Sequence, residues 1–287
     1  MISGADTVLN AKGLARSFGD VRALDGFDLT VPKGRIVGLI GPNGSGKTTA
    51  LKAILGMSHL DAGELDVLGH NPRSERAAMM QRVAYIADTG ILPRWMKVRD
   101  LLSFAESVHP GFDRAVAEAQ LASTEIALHK KVGVLSKGMH VQLHLAIVLA
   151  IGADLLVLDE PTLGLDIMYR QQFYDAVLND YFTNQRSILV TTHEVREIEH
   201  ILTDVVFINH GRACLSASMD EIASSFVKLV AGADVTLPAR PIHEKRGLAG
   251  TEYIFQGVAR DTLAGLGETS TPNLAELFVA VVEGGVR

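Results

Sequence analysis

Between Gly41 and Thr48 the chain reads Gly-Pro-Asn-Gly-Ser-Gly-Lys-Thr. The apolar run Val37, Gly38, Leu39, Ile40 enters this stretch as the end of a buried strand. Residues 49–57 leave it as a helix. A strand, a glycine-rich turn and a helix starting at Lys47 form a cradle for phosphate. Turn N–H groups point inward, and the helix start adds partial positive charge. Lys47 can reach outer phosphates, and Thr48 can set its hydroxyl on a magnesium ion. Gly41, Pro42, Asn43, Gly44, Ser45, Gly46, Lys47, Thr48 and Thr49 are therefore the candidate phosphate-binding residues. The plain alternative is a glycine turn at a helix start.

The remaining composition limits the setting. At 287 residues and 47% hydrophobic content, a packed chain is expected, with one large core or two modest ones. A net charge of −6 argues against a general nucleic-acid binder. Cys214 is the only cysteine, so no disulfide framework within the chain is possible; a buried strand position suits it. The N-terminus lacks a basic stretch followed by an apolar run, so no secretory leader is read. The most apolar window, 143–158, is interrupted by His144, Gly152 and Asp154 and is too short for a bilayer. The chain reads as soluble by itself, any membrane role coming through a partner.

Along the chain, apolar patches at Val8–Leu9, Leu14–Phe18 and Phe27–Val31, with Gly19-Asp20 as a turn, predict an antiparallel sheet. Strands are expected at Arg35–Ile40, Glu64–Leu68, Val83–Ala87, Leu155–Leu158 and Ser187–Thr192. Helices are expected at Arg73–Met80, Gly138–Ile151, Tyr169–Phe182 and Glu194–Leu202. Residues 95–130 lack strand runs and predict helices near 98–107, 112–121 and 123–129, a helical insertion. A hairpin spans Val205–Ser216. Ser218 and Glu221 form a capping box for a helix near 219–226. Strand-like pieces at Phe226–Val230, Val235–Leu237 and Tyr253–Gln256 precede a final helix after Thr271-Pro272.

The chemistry-bearing residues lie at strand ends. Asp159 closes an apolar strand, where a magnesium-site carboxylate belongs, and Glu160 beside it can orient or deprotonate an attacking water. His193 follows the strand ending in Thr191-Thr192. Parallel strands place their C-terminal ends along one sheet edge, so these groups can converge on the glycine-rich turn. The alternatives are a solvated strand end for the carboxylates and a surface role for the histidine.

These features resemble the ATP-binding subunits of ATP-binding-cassette (ABC) transporters. Residues 41–48 match the family's phosphate loop, and Leu155–Glu160 its magnesium-site strand. Leu135-Ser136-Lys137-Gly138-Met139 resembles its signature, and Leu163-Gly164-Leu165-Asp166 the loop after the catalytic glutamate. His193 matches its switch histidine. The resemblance covers roughly residues 6–225. It implies an α/β phosphate-loop NTPase fold with an N-terminal antiparallel sheet, a mostly parallel core sheet and a helical insertion at about 90–135. Residues 1–225 then form the nucleotide-binding domain, and 226–287 a small accessory region.

The resemblance implies ATP and Mg2+ as ligands and a head-to-tail dimer of two copies. Lys47, Glu160, His193 and Ser136 would act in catalysis. Thr48, Asp159 and Asp88 would serve the metal, with Asp166 completing the nucleotide contacts. Ser136 and Gly138 would reach the partner's γ-phosphate, although Ser136 also suits a plain N-cap. Phe18 matches the adenine-stacking aromatic, with a core strand position as its alternative. Two departures stand out: Asp88 replaces the usual glutamine, and Lys137 and Met139 alter the signature. The altered form resembles a bacterial exporter branch with a separate membrane permease, handling drugs, antibiotics or small peptides. The helical insertion would contact that permease, with Trp95 either facing it or in the core. A soluble ribosome or nucleic-acid remodeller and a weakly hydrolysing regulatory subunit are the alternatives.

Overall fold

The computed structural model describes residues 7–87, 92–163, 167–182, 186–232, 235–247 and 250–284. Asp88 and Asp166 lie outside them. Strands β1 (Thr7–Phe18) and β2 (Val21–Pro32) pair antiparallel around the Gly19-Asp20 turn. Each is a single long strand, with register shifts that let it bend. Strand β3 (Ile36–Ile40), wholly buried, feeds helix α1 (Lys47–Ile54). Strand β4 (Ala62–Val67) then pairs with β1, completing a three-stranded sheet in the order β2-β1-β4.

Helix α2 (Arg76–Met79) and strand β5 (Val83–Ile86) lead to the helical insertion, built from α3 (Val98–Val108) and α4 (Arg114–Ala122). Asp113 caps α4 by accepting from the N–H groups of Ala115 and Val116. The helix expected at 123–129 does not form. Ser123 and Thr124 hydroxyls donate to the carbonyls of Gln120 and Leu121, and Thr124 Oγ1 accepts from Ile126 N–H. These local bonds compete with the helical ladder and end α4. Helix α5 (Lys137–Ile151) packs back on the insertion, with Leu143 and Ile147 meeting Leu101, Leu102 and Leu121. Trp95 is 73% exposed, so its core alternative does not hold.

Strand β6 (Leu155–Asp159), helix α6 (Ile167–Ala176), strand β7 (Ser187–Thr192) and helix α7 (Val195–Ile198) follow. Strands β8 (Asp204–Asn209) and β9 (Arg212–Ser218) form the expected hairpin. Its two turn residues, His210 and Gly211, both have positive φ (47° and 73°), as a two-residue hairpin turn requires. The core sheet runs β5-β6-β7-β3-β8-β9, parallel except for β9. Cys214 sits half-buried on β9.

The capping box at Ser218 and Glu221 opens α8 (Met219–Ser225). The next elements are β10 (Phe226–Ala231), β11 (His243–Gly247), β12 (Gly250–Gln256), α9 (Arg260–Leu263), β13 (Glu268–Ser270) and α10 (Leu274–Gly284). The four strands make an antiparallel sheet in the order β11-β12-β10-β13. Val235–Leu237 is irregular rather than a strand. Pro238 and Pro241 follow it and remove two ladder donors. Val235 and Leu237 instead pack as side chains on the small core of Leu229, Tyr253, Phe255 and Leu263.

Candidate functional site

The core sheet places its chemistry along one edge. β7 lies between β3 and β6, so Thr192 is opposite Ile40 and Thr191 opposite Asp159. The loop after β3, the carboxylates at the end of β6 and the histidine after β7 therefore meet.

The glycine loop is shaped by missing side chains. A Cβ at Gly41 would sit 2.3 Å from the Ile208 carbonyl oxygen, and one at Gly46 2.5 Å from that of Ala23. Gly46 caps α1 with φ 114°, a conformation nearly closed to other residues. The N–H groups that open α1 lack acceptors within the helix. Ser45 Oγ is buried with no hydrogen-bond partner among the described residues. This unmet donor capacity at a helix start fits a bound triphosphate. Thr48 hydroxyl and Asp159 carboxylate supply hard oxygen ligands, which fits magnesium.

Lys47 is almost fully buried, and its Nζ donates to the carbonyls of Gly41 (2.7 Å) and Pro42 (3.2 Å). Its countercharge is Glu160 Oε1 at 3.5 Å. The other oxygen, Glu160 Oε2, contacts His193 Nδ1 at 2.9 Å. The structure thus joins Lys47, Glu160 and His193 in one chain of contacts. Glu160 holds φ at 48°, an uncommon conformation for a non-glycine residue and of the kind stored at functional sites. Its N–H donates to Thr191 O, which fixes the turn.

Two residues that sequence reading passed over hold Asp159. Thr191 Oγ1 donates to Asp159 Oδ1 at 2.7 Å, and Tyr85 OH to Oδ2 at 3.4 Å. The role of Thr191 depends on β7 lying beside β6, a neighbourhood that the sequence does not record. Below them, Thr162 bonds Tyr174 OH and Glu197, and Glu197 pairs with Arg170. Burial, opposed in part by the Thr162 bond, pushes the Tyr174 phenol up to about 12.

Ser136 caps α5, its Oγ accepting from Met139 N–H at 3.2 Å. Gly138 lies under the Tyr169 ring, and a Cβ there would come within 2.9 Å of ring carbons. Lys137 Nζ donates to Leu163 O at 2.6 Å and ties the start of α5 to the chain beyond Glu160. Phe18 is half-exposed, so its core alternative fails. The Arg16 guanidinium lies over its ring, 4.7 Å from the centroid. Arg16 is held by Asp61 at 2.9 Å. The Ser17 N–H and then Arg16 keep the Asp61 carboxyl below its usual range. One ring face is thus backed by a cation.

The fold and this edge define a phosphate-loop ATPase class. The sequence profile of the family described as "ABC transporter" matches residues 24–163. The chain is 36% identical to the Nod factor export ATP-binding protein I of Burkholderia lata, over 71% of this chain and 68% of that one. It is 32% identical to the daunorubicin resistance ATP-binding protein DrrA3 of Streptomyces coeruleorubidus, over 76% and 70% respectively. A solved ATP-binding subunit of an ABC transporter superposes with a TM-score of 0.68 at 25% identity, covering 75% of this chain and 91% of that one. A nucleotide-free ATP-binding cassette matches in fold, with a TM-score of 0.65. The chain belongs to the ATP-binding subunits of ABC transporters and is an ABC-type ATPase. No helix among the described residues is long and apolar enough to cross a membrane.

Proposed function

We propose that this chain hydrolyses ATP as one of two identical subunits and drives export through a separate membrane-spanning permease. The contact chain Lys47–Glu160–His193 carries the reading. Without nucleotide, Glu160 neutralises a buried lysine, because a buried ammonium needs a countercharge. A γ-phosphate competes for Lys47 and releases Glu160 to orient water, while His193 keeps the carboxylate aimed. Thr48 and Asp159 would hold a magnesium ion, which when bound would neutralise phosphate charge. Thr49 and the loop residues 41–46 surround the phosphates, and Phe18 offers its free face to adenine.

Ser136 and Gly138 serve the second copy's nucleotide from the start of α5. Asp166 and Asp88 take the contacts that the family resemblance assigns them. The nucleotide-binding domain spans 1–225. The helical insertion meets the permease, holding the chain at the cytoplasmic face of the membrane. The relatives' names, Nod factor export and daunorubicin resistance, support an exported cargo of the drug, antibiotic or small-peptide kind.

The test is Glu160→Gln. Mg-ATP turnover falls at least about 100-fold while ATP binding persists. Undiminished turnover in that variant would show that Glu160 does not orient the attacking water. Co-purification with a polytopic permease that has no ATPase domain of its own tests the partner.

A further inference from the structure

A cavity of about 340 Å³ opens between the helical insertion and the core sheet. Its walls come from the end of β5, the first two turns of α5 and the chain just beyond Glu160. Its polar lining is Arg94, Lys137, His140 and His144, and no carboxylate lines it among the described residues.

His144 is the informative group. It is about nine-tenths buried, and neither ring nitrogen has a hydrogen-bond partner among the described residues. Burial lowers its pKa to about 4, so the ring is neutral near pH 7, with one N–H donor and one acceptor. His144 lines the cavity, so an occupant there can meet its ring nitrogens. The cavity is where its partner belongs. The other groups define what that partner is. Lys137 spends one donor on Leu163 O and keeps two. The exposed Arg94 guanidinium has no side-chain partner among the described residues. His140 donates Nδ1–H to Ser136 O at 2.9 Å, which leaves Nε2 as an acceptor when the ring is neutral. Cationic donors together with an acceptor fit an oxyanion that also carries a proton.

We propose that this cavity binds inorganic phosphate, held by Arg94, Lys137, His140 and His144. Phosphate near neutral pH offers P–O⁻ oxygens to the donors and a P–OH to the acceptor, whereas sulfate has no such proton. Leu135 and Lys137 on either side of Ser136, and Pro161 and Leu163 beyond Glu160, line the cavity, so the phosphate released by hydrolysis is the source that lies nearest to it. That source rests on the function proposed above; the binding site does not.

The experiment is a phosphate titration of nucleotide-free protein labelled with 15N-histidine, with sulfate at matched ionic strength for comparison. The His144 signal is assigned from its loss in His144→Gln. The expected result is a saturable shift of the His144 ring nitrogens with phosphate and little shift with sulfate. Arg94→Gln weakens the apparent affinity about tenfold. Lys47→Ala, which disables the glycine loop, leaves the His144 response in place. An unmoved His144 signal overturns the proposal, as does an equal response to sulfate or one abolished by Lys47→Ala. Thermal melts of each variant confirm folding, and the wild-type titration needs no variant to fold. No turnover is read, so a failed Glu160→Gln prediction leaves this result standing.

Discussion

Gly46 and Gly44 sit two residues apart with positive φ, yet they serve different purposes. At Gly46, φ is 114° and a Cβ would strike the Ala23 carbonyl at 2.5 Å; at Gly44, φ is 80° and a Cβ would meet nothing within 4 Å. Gly44→Ala therefore costs about 1 kcal/mol of backbone strain. Gly46→Ala costs about 3 kcal/mol and displaces the loop. Urea denaturation and ATP binding, measured side by side, separate the two: Gly44→Ala retains binding and Gly46→Ala loses it. Equal behaviour would mean that the loop tolerates both.

Thr191 argues similarly for Asp159. Thr191→Val removes the 2.7 Å bond to the carboxylate without changing size much. The Mg2+ concentration for half-maximal turnover then rises about 10- to 100-fold, and Thr191→Ser restores it. An unchanged Mg2+ requirement would sink the positioning role. Gly41–Thr48, Asp159, Glu160 and His193 were readable because each lies at the end of an apolar run that can only be a central strand. Thr191, Tyr85 and Arg16 were not, since their roles depend on which strand or loop lies next to them. Trp95 stayed open between surface and core because a large apolar side chain fits either until its surroundings are known.

At the scale of elements, α5 joins the insertion to the core sheet, and a histidine lies inside that junction. Unfolded His144 titrates near 6.5 and folded His144 near 4. Between these values the unfolded chain binds more protons. The stability that the neutral ring contributes is thus full above pH 6.5 and is lost as pH falls through about 4. The gap is equivalent to about 3 kcal/mol. Urea midpoints at pH 7.5 and pH 4.5 should drop by correspondingly less in His144→Leu than in the wild type. Parallel losses would show that His144 does not set the acid limb.

Elements differ in legibility for a physical reason. β3, β6 and β7 are buried on both faces and write themselves as continuous apolar runs. β11 reads His-Glu-Lys-Arg-Gly, largely exposed, and is a strand only because β12 offers it a ladder edge. No pattern of side chains records such a backbone pairing. The short β13 at Glu268–Ser270 is illegible on the same grounds.

For the whole molecule, the chain after residue 225 is fastened to the main core through α10. Its strands form a separate sheet, and α10 ties that sheet to the main core. Leu274, Leu277 and Val281 enter the main core beside Phe207, Ile222 and Phe226, and Phe278 meets Phe207 edge-on at 5.2 Å. Polar contacts fasten the same helix: Leu274 N–H donates to Glu199 at 2.9 Å, just beyond α7, and Lys228 on β10 bonds Glu276 at 2.5 Å. The small sheet is thus bracketed between α8 and α10, both of which pack on the main core.

It follows that damage to α10 should be felt across the molecule. Leu277→Ala leaves a cavity under α10 and costs about 2–5 kcal/mol. Trp95, the chain's one tryptophan, sits on the helical insertion and reports from another part of the fold. If the core unfolds as one unit, its fluorescence and the far-UV circular dichroism shift together to a lower urea midpoint in Leu277→Ala. An early dichroism step with the Trp95 transition left at its wild-type midpoint would instead show that α10 and the small sheet unfold by themselves.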